Sequence, residues 1–112
     1  TVHPAYKERV LKASDIDTVV TGRPTGHPVR ILRNQLSSEL LKLEKIAAPL
    51  EQYEELGKGA LPRAAKEGDI DRGSVMAGQI AGMITKEQTC AEMIEEMFKE
   101  AKEIIRNRQD IL

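Results

Sequence analysis

A mainly α-helical fold with one short β-hairpin-like segment near residues 18–34 is what this sequence of 112 residues predicts. Three observations lead to it. Ile94, Met97, Phe98, Ala101, Ile104 and Ile105 recur at the spacing of one helix face, the mark of an amphipathic helix. Thr18-Val19-Val20-Thr21 is β-branched throughout and bounded by Gly22 and Pro24, which favours a strand. Pro and Gly punctuate the stretch between, so its helices must be short.

Pro4 suits the first turn of a helix, where its missing N–H costs nothing, and Tyr6, Val10 and Leu11 then share a face. Ser14 and Asp15-Ile16-Asp17 end it. After the strand, Pro24, Gly26 and Pro28 force a turn. Residues 29–34 return as an extended partner, although the segment is too short for periodicity to separate strand from helix. From Leu36 the pattern is helical, with Ser37 and Ser38 as caps and Leu40, Leu41, Leu43 and Ile46 along an apolar stripe that Pro49 stops. A helix from Leu50 to Leu56 breaks at Gly57 and Gly59, and another runs from Leu61 to Lys66 before Gly68. Thr85 with Gln88 fits a capping box for the last helix, which continues to near Arg108.

Composition excludes several classes of function. Seventeen basic and eighteen acidic residues leave a net charge of −1, which gives no long-range pull toward a polyanion. One Phe, two Tyr and no Trp leave little to stack on bases, so nucleic acid is not expected as a partner. The lone Cys90 cannot form an internal disulfide; it suits a reducing cytosol and reads as a buried, inert thiol, and a cytoplasmic location is expected. The uncharged run 73–85 is too short to span a bilayer, so no membrane role is expected. His3 and His27 lack metal-ligand spacing, and Asp69 and Asp71 lack the other ligands of a calcium loop; no metal site is expected.

Two features remain. Arg23, His27, Arg30 and Arg33 gather around the Gly/Pro turn, where an anionic partner would dock, and His27 and Arg30 are the residues assigned to substrate binding. Residues 73–84, Gly-Ser-Val-Met-Ala-Gly-Gln-Ile-Ala-Gly-Met-Ile, carry no charge in a chain that is 31% charged. Gly78 and Gly82 stand four apart, a costly choice within a helix unless another group approaches the backbone closely.

Val2-His3-Pro4-Ala5-Tyr6-Lys7, Asp15-Ile16-Asp17-Thr18, Gly26-His27-Pro28-Val29-Arg30, Arg33-Asn34-Gln35-Leu36, Gly68-Asp69 and above all residues 73–82 resemble, in order, stretches of the flavin-dependent enoyl-acyl-carrier-protein reductase II. That enzyme belongs to the wider nitronate monooxygenase (2-nitropropane dioxygenase-like) group. Relatives acting on nitronates carry Trp-Ala-Gly-Gln where this chain has Met76-Ala77-Gly78-Gln79, which favours the enoyl reductase branch. The resemblance implies the C-terminal helical substrate-binding segment of an FMN-dependent (β/α)₈ TIM-barrel enzyme that reduces trans-2-enoyl-acyl-carrier-protein with NAD(P)H in fatty-acid synthesis. Residues 1–112 would follow the barrel strands, with the barrel itself, the catalytic histidine and the FMN-phosphate loops outside the chain, since a barrel needs roughly 250 residues. No residue of this chain is therefore assigned as catalytic, and the chain alone is expected to be inactive. Ser74, Met76, Ala77, Gly78 and Gln79 are the implied FMN neighbours. Implied partners are an acyl-carrier-protein thioester, the barrel portion of the same enzyme and a second subunit in a homodimer. The alternatives are a nitronate monooxygenase, or a standalone helical interaction module without catalysis.

Overall fold

A computed structural model describes residues 1–111. Helix α1 (Pro4–Leu11) is followed by strand β1 (Thr18–Thr21), a 3-10 turn and strand β2 (Val29–Leu32), then by helices α2 (Gln35–Lys45), α3 (Leu50–Gly57) and α4 (Ala60–Ala65). A 3-10 turn (Gln79–Met83) and helix α5 (Cys90–Asn107) complete the main elements. The strands pair antiparallel with Thr18 opposite Leu32 and Thr21 opposite Val29.

Two small cores flank the hairpin. Ala13, Leu32, Ala64, Val75 and Ala81 form one, with Tyr6, Val10, Ile70 and Ala77 against them. Leu36, Leu40, Tyr53 and Ala60 form the other, beside Leu43, Ala48 and Leu56. Helix α1 begins on His3, whose Nδ1 accepts from the Ala5 N–H at 3.0 Å. Gly68, at φ +78°, passes so close to the His3 ring that a Cβ would lie 2.4 Å from it. Both the left-handed backbone and the approach require glycine there.

Local expectations hold for the hairpin and for α3, and shift elsewhere. Asn34, not Ser37 or Ser38, caps α2; Ser37 is its partner in the capping box, which is why its hydroxyl is buried. Ile46 ends α2 exposed instead of continuing the stripe. The capping box of α5 is Thr89 with Glu92, not Thr85 with Gln88, and helix geometry starts at Cys90. Cys90 is exposed, contrary to the buried thiol expected, because nothing among the described residues covers the apolar face of α5.

The uncharged run is not an α-helix. Residues 75–77 lie antiparallel along β2, with Met76 bridged to Ile31, the Leu32 N–H donating to Val75 O at 2.9 Å and the Ala77 N–H to Arg30 O at 3.3 Å. The chain then tightens into the 3-10 turn. Charge-free sequence permits this because the run passes between the first core and the rim, burying Val75 and Ala81.

Candidate functional site

The extension of the hairpin by residues 75–77 brings together two features that the sequence presents apart. Antiparallel register sets Arg30 opposite Val20 on one side and Ala77 on the other. Side chains directly across a sheet share a face, so Arg30 and Ala77 are neighbours. The Arg30 guanidinium is held by the Thr18 hydroxyl at 3.1 Å. Among the described residues no carboxylate pairs with it. A half-buried, oriented and unneutralised cation beside an uncharged strand is suited to an anion.

The outer edge of the added strand has its own clamp. The Met76 carbonyl points away from β2 and accepts the Tyr6 hydroxyl at 2.7 Å. Burial raises the Tyr6 pKa, so the hydroxyl stays protonated through the neutral range. A second clamp sits upstream, where Asn34 Nδ2 donates to Ile70 O at 2.9 Å and to Gly73 O at 2.8 Å while its Oδ1 accepts from the Ser37 N–H. Asn34 thereby ties the start of α2 to the loop that delivers residues 74–79. The Asp69 carboxylate tightens that loop through the Asp71 and Arg72 N–H groups.

The three glycines of the run have different reasons. A Cβ at Gly73 would strike Asp69 O at 2.4 Å and Ala64 at 2.6 Å, and one at Gly82 would strike the Ser14 backbone at 2.6 Å. Packing within the chain accounts for both. At Gly78 a Cβ meets nothing within 4 Å, and its φ of −77° suits any residue. Nothing among the described residues requires glycine at 78, which leaves room for an external group to approach the backbone closely. Met76 and Gln79 are exposed beside it. Ser74 sits deeper, nearly buried, with its N–H given to Ala60 O at 2.8 Å. Open backbone, apolar edge and an amide side chain are compatible with the flat, hydrogen-bonding ring system of FMN at Met76, Ala77, Gly78 and Gln79.

The basic turn, in contrast, is dispersed. Arg33 Nε donates to Ile16 O at 3.1 Å, near Arg9 and Asp17, and shares no hydrogen-bond partner with Arg30. His27 lines a different cavity of about 270 Å³, with Thr25, Leu50, Tyr53 and Glu54. Beneath it the Tyr53 hydroxyl is buried without a partner, and burial followed by the Glu44 carboxylate raises its pKa. His27 and Arg30, assigned together to substrate from sequence, share no partner here. Among the described residues no cluster of three or more His, Cys, Asp or Glu side chains is suited to a metal ion, and no helix is long and apolar enough to cross a membrane.

Sequence reasoning missed Tyr6 and Asn34 as supports of the segment 73–79. A capping pattern, Asn34 followed three residues later by Ser37, was available for one bond. No local signal reports bonds to carbonyls 36 and 39 residues away.

Comparison with known proteins bears on this geometry. The family model for nitronate monooxygenase matches residues 1–100. A probable nitronate monooxygenase of Bacillus subtilis (strain 168) is 26% identical over 98 residues, which is 88% of this chain and 28% of that protein. The solved structure of FabK from Thermotoga maritima matches all of this chain at 42% identity with a TM-score of 0.91, and the match covers 35% of that chain. A mutant of the same FabK matches with 39% identity and a TM-score of 0.78, over 99% of this chain and 32% of that one. The chain thus spans about a third of the length of these relatives.

Proposed function

This chain belongs to the nitronate monooxygenase family, and from that premise we propose that it is the carboxyl-terminal, substrate-side part of an FMN-dependent enoyl-acyl-carrier-protein reductase with a (β/α)₈ barrel. The carrying observation is the agreement with FabK, an enoyl-acyl-carrier-protein reductase II, along the whole chain at 42% identity, against 26% for the curated nitronate monooxygenase. Relatives of both kinds are oxidoreductases, which supports an enzymatic parent.

FMN, when bound, supplies the hydride chemistry, drawing on NAD(P)H. The residues of this chain bind and orient. Gly78 admits the ring edge, Gln79 offers it a hydrogen bond, and Met76 and Ala77 keep water from that side, with Ser74 behind them. Tyr6 and Asn34 hold this strand in place. Arg30 receives the anionic part of the acyl-carrier-protein thioester beside the wall, and His27 contacts it farther along the hairpin. The phosphate anchor and the catalytic histidine belong to the barrel portion, and the enzyme is a cytoplasmic homodimer in this reading.

The test is a chimera in which residues 1–112 replace the matched third of Thermotoga maritima FabK. We expect it to bind FMN and reduce crotonyl thioester, with Gly78→Val losing the flavin while far-UV circular dichroism is unchanged. Full flavin occupancy in Gly78→Val would refute the placing of the flavin against residues 76–79. The family model and the Bacillus relative favour nitronate oxidation as the second reading, and a chimera that oxidises nitronate but leaves crotonyl thioester untouched would establish it. A native mass equal to that of this chain alone, with ordered helices and no flavin, would instead support the interaction module.

A further inference from the structure

Helix α1 fastens the outer edge of residues 75–77, and one titratable side chain sets its first turn. The Tyr6 hydroxyl donates to Met76 O at 2.7 Å, Lys7 pairs with Glu87 at 2.6 Å, and Val10 packs on the first core. Behind them the His3 N–H donates to Ala65 O at 2.7 Å, which ties the start of α1 to α4. Tyr6 belongs to the first turn, its N–H donating to His3 O at 3.0 Å, so its position depends on how that turn is capped.

His3 is an unusual cap. Ser, Thr, Asp and Asn are the side chains that ordinarily accept the free amides at a helix start. Here the acceptor is the imidazole Nδ1, 3.0 Å from the Ala5 N–H. A neutral imidazole has one acceptor nitrogen and an imidazolium has none. A protonated ring would also set a positive charge at the positive end of the helix dipole. The ring is half-buried against Gly68, where a Cβ would overlap Nδ1 and Cε1, so it is packed on backbone and not free in solvent.

The charged groups around the ring do not offset its protonation. On the α4 side, Lys66, Glu67 and Asp69 flank the two residues it touches; Lys66 and Glu67 are exposed, and the Asp69 carboxylate accepts from the Asp71 and Arg72 N–H groups. On its own helix, Lys7 is paired with Glu87 and Glu8 with Lys12. Among the described residues no carboxylate pairs with His3.

We propose that His3 is a proton-sensitive catch on the 75–77 segment: neutral, it caps α1 and seats Tyr6 on the Met76 carbonyl, and protonated, it gives up the Ala5 amide and loosens both. Imidazoles exchange their proton between about pH 5 and 8, and only the neutral form makes this bond. The cap is therefore complete at pH 8 and is lost as pH falls through that range. Tyr6 remains a donor throughout, since burial raises its pKa. A flavin lying against residues 76–79 is then held less firmly in acid, a consequence that rests on the proposed function, whereas the catch itself does not.

The same chimera tests it, with His3→Asn as the decisive variant, because asparagine accepts the Ala5 N–H and does not titrate. Hydrogen exchange is followed in residues 4–8 and at the Ala77 N–H, which donates to Arg30 O. Comparing the two proteins at equal pH cancels the intrinsic pH dependence of exchange and the titration of every other group. Exchange should match at pH 8, and at pH 5.5 the unsubstituted chimera should exchange about fivefold faster at both places, the equivalent of a ~1 kcal/mol cap. Flavin release, followed by fluorescence, should show the same ratio. Tyr6→Phe should keep the acid step in residues 4–8 and lose it at Ala77. A ratio that does not change with pH would overturn the proposal, as would an acid step confined to residues 4–8 in the chimera with Tyr6 intact. Should His3→Asn fail to fold, His3→Ser makes the same comparison. An acid step at both places with flavin release unchanged, or with no flavin bound, would leave the catch standing and remove the flavin from residues 76–79.

Discussion

Replacing Asn34 by alanine should weaken the chain more than any exposed polar substitution elsewhere. Three bonds go at once: the cap on the Ser37 N–H at 2.9 Å, and the donations to Ile70 O and Gly73 O at 2.9 and 2.8 Å. A lost cap costs about 1 kcal/mol and each partly buried hydrogen bond about another 1, for a total of roughly 3 kcal/mol. For a domain of this size that corresponds to a fall in Tm of roughly 10–15 °C. Urea unfolding followed by circular dichroism, with thermal scans, measures both.

Asn34→Asp separates the contributions. Aspartate caps a helix as well as asparagine does, but it cannot donate, and it sets a carboxylate against two carbonyls. It should retain the α2 cap and still lose about 2 kcal/mol. Stability of Asn34→Asp within about 0.5 kcal/mol of the unsubstituted chain would refute the bridge from α2 to the 70–73 loop, since only the cap would then matter.

Gly82→Ala should destabilise the chain and Gly78→Ala should not, because a Cβ at 82 meets the Ser14 backbone at 2.6 Å and one at 78 meets open space; comparing their denaturation midpoints decides the point. Tyr6→Phe should cost about 1 kcal/mol by removing the bond to Met76 O, read from the same curves. Burial raises the folded pKa of Tyr6, and of Tyr53, above the ordinary 10.0, so their contribution is complete below pH 10 and is lost as pH rises through the folded values. Unfolding curves taken through that range should show the loss, reduced in the double Phe variant. Asp17 behaves in the opposite sense: the Ser14 N–H lowers its pKa, so its contribution is present above 3.8 and fades as pH falls through the lower folded value, an acid dependence that Asp17→Ala should flatten. Thr89→Ala should lower α5 helicity while Thr85→Ala leaves it unchanged, since the cap is at 89.

Elements governed by local chemistry were legible. The β-branched run 18–21 bounded by Gly22 forms its strand on the expected residues, and α3 runs Leu50–Gly57 against the expected Leu50 to Leu56, whereas α2 ends at Lys45, before the Pro49 expected to stop it. The cap of α5 was misplaced because Thr85-Lys86-Glu87-Gln88 and Thr89-Cys90-Ala91-Glu92 both fit a capping box, and local pattern cannot decide between them. In the structure Lys86 and Gln88 reach Glu96, and Glu87 reaches Lys7, so the first box is spent on tethers. The uncharged run 73–84 was legible as an anomaly but not as a shape. Its helical reading treated Gly78 and Gly82 as one face, whereas the Ile31–Met76 bridge lays residues 75–77 alongside β2 and separates the two glycines' roles.

That separation also leaves two different surfaces open among the described residues. Residues 75–77 lie along β2 through a single bridge and leave their outer edge bare, and bare edges pair with other chains unless they are covered or occupied. Here Tyr6 occupies the Met76 carbonyl, while the backbone around Gly78 lacks even a side chain for cover. The neighbouring 3-10 turn and α5 expose Ile80, Met83, Met97 and Phe98, groups that water penalises by about 25 cal/mol per Å². A ligand alone would cover the edge but not the helix, and a second helix would cover α5 but give Gly78 no reason to be glycine. In the proposed reading, the remainder of the enzyme and its flavin would cover both, and removing that part should expose residues 76–79 and α5 together.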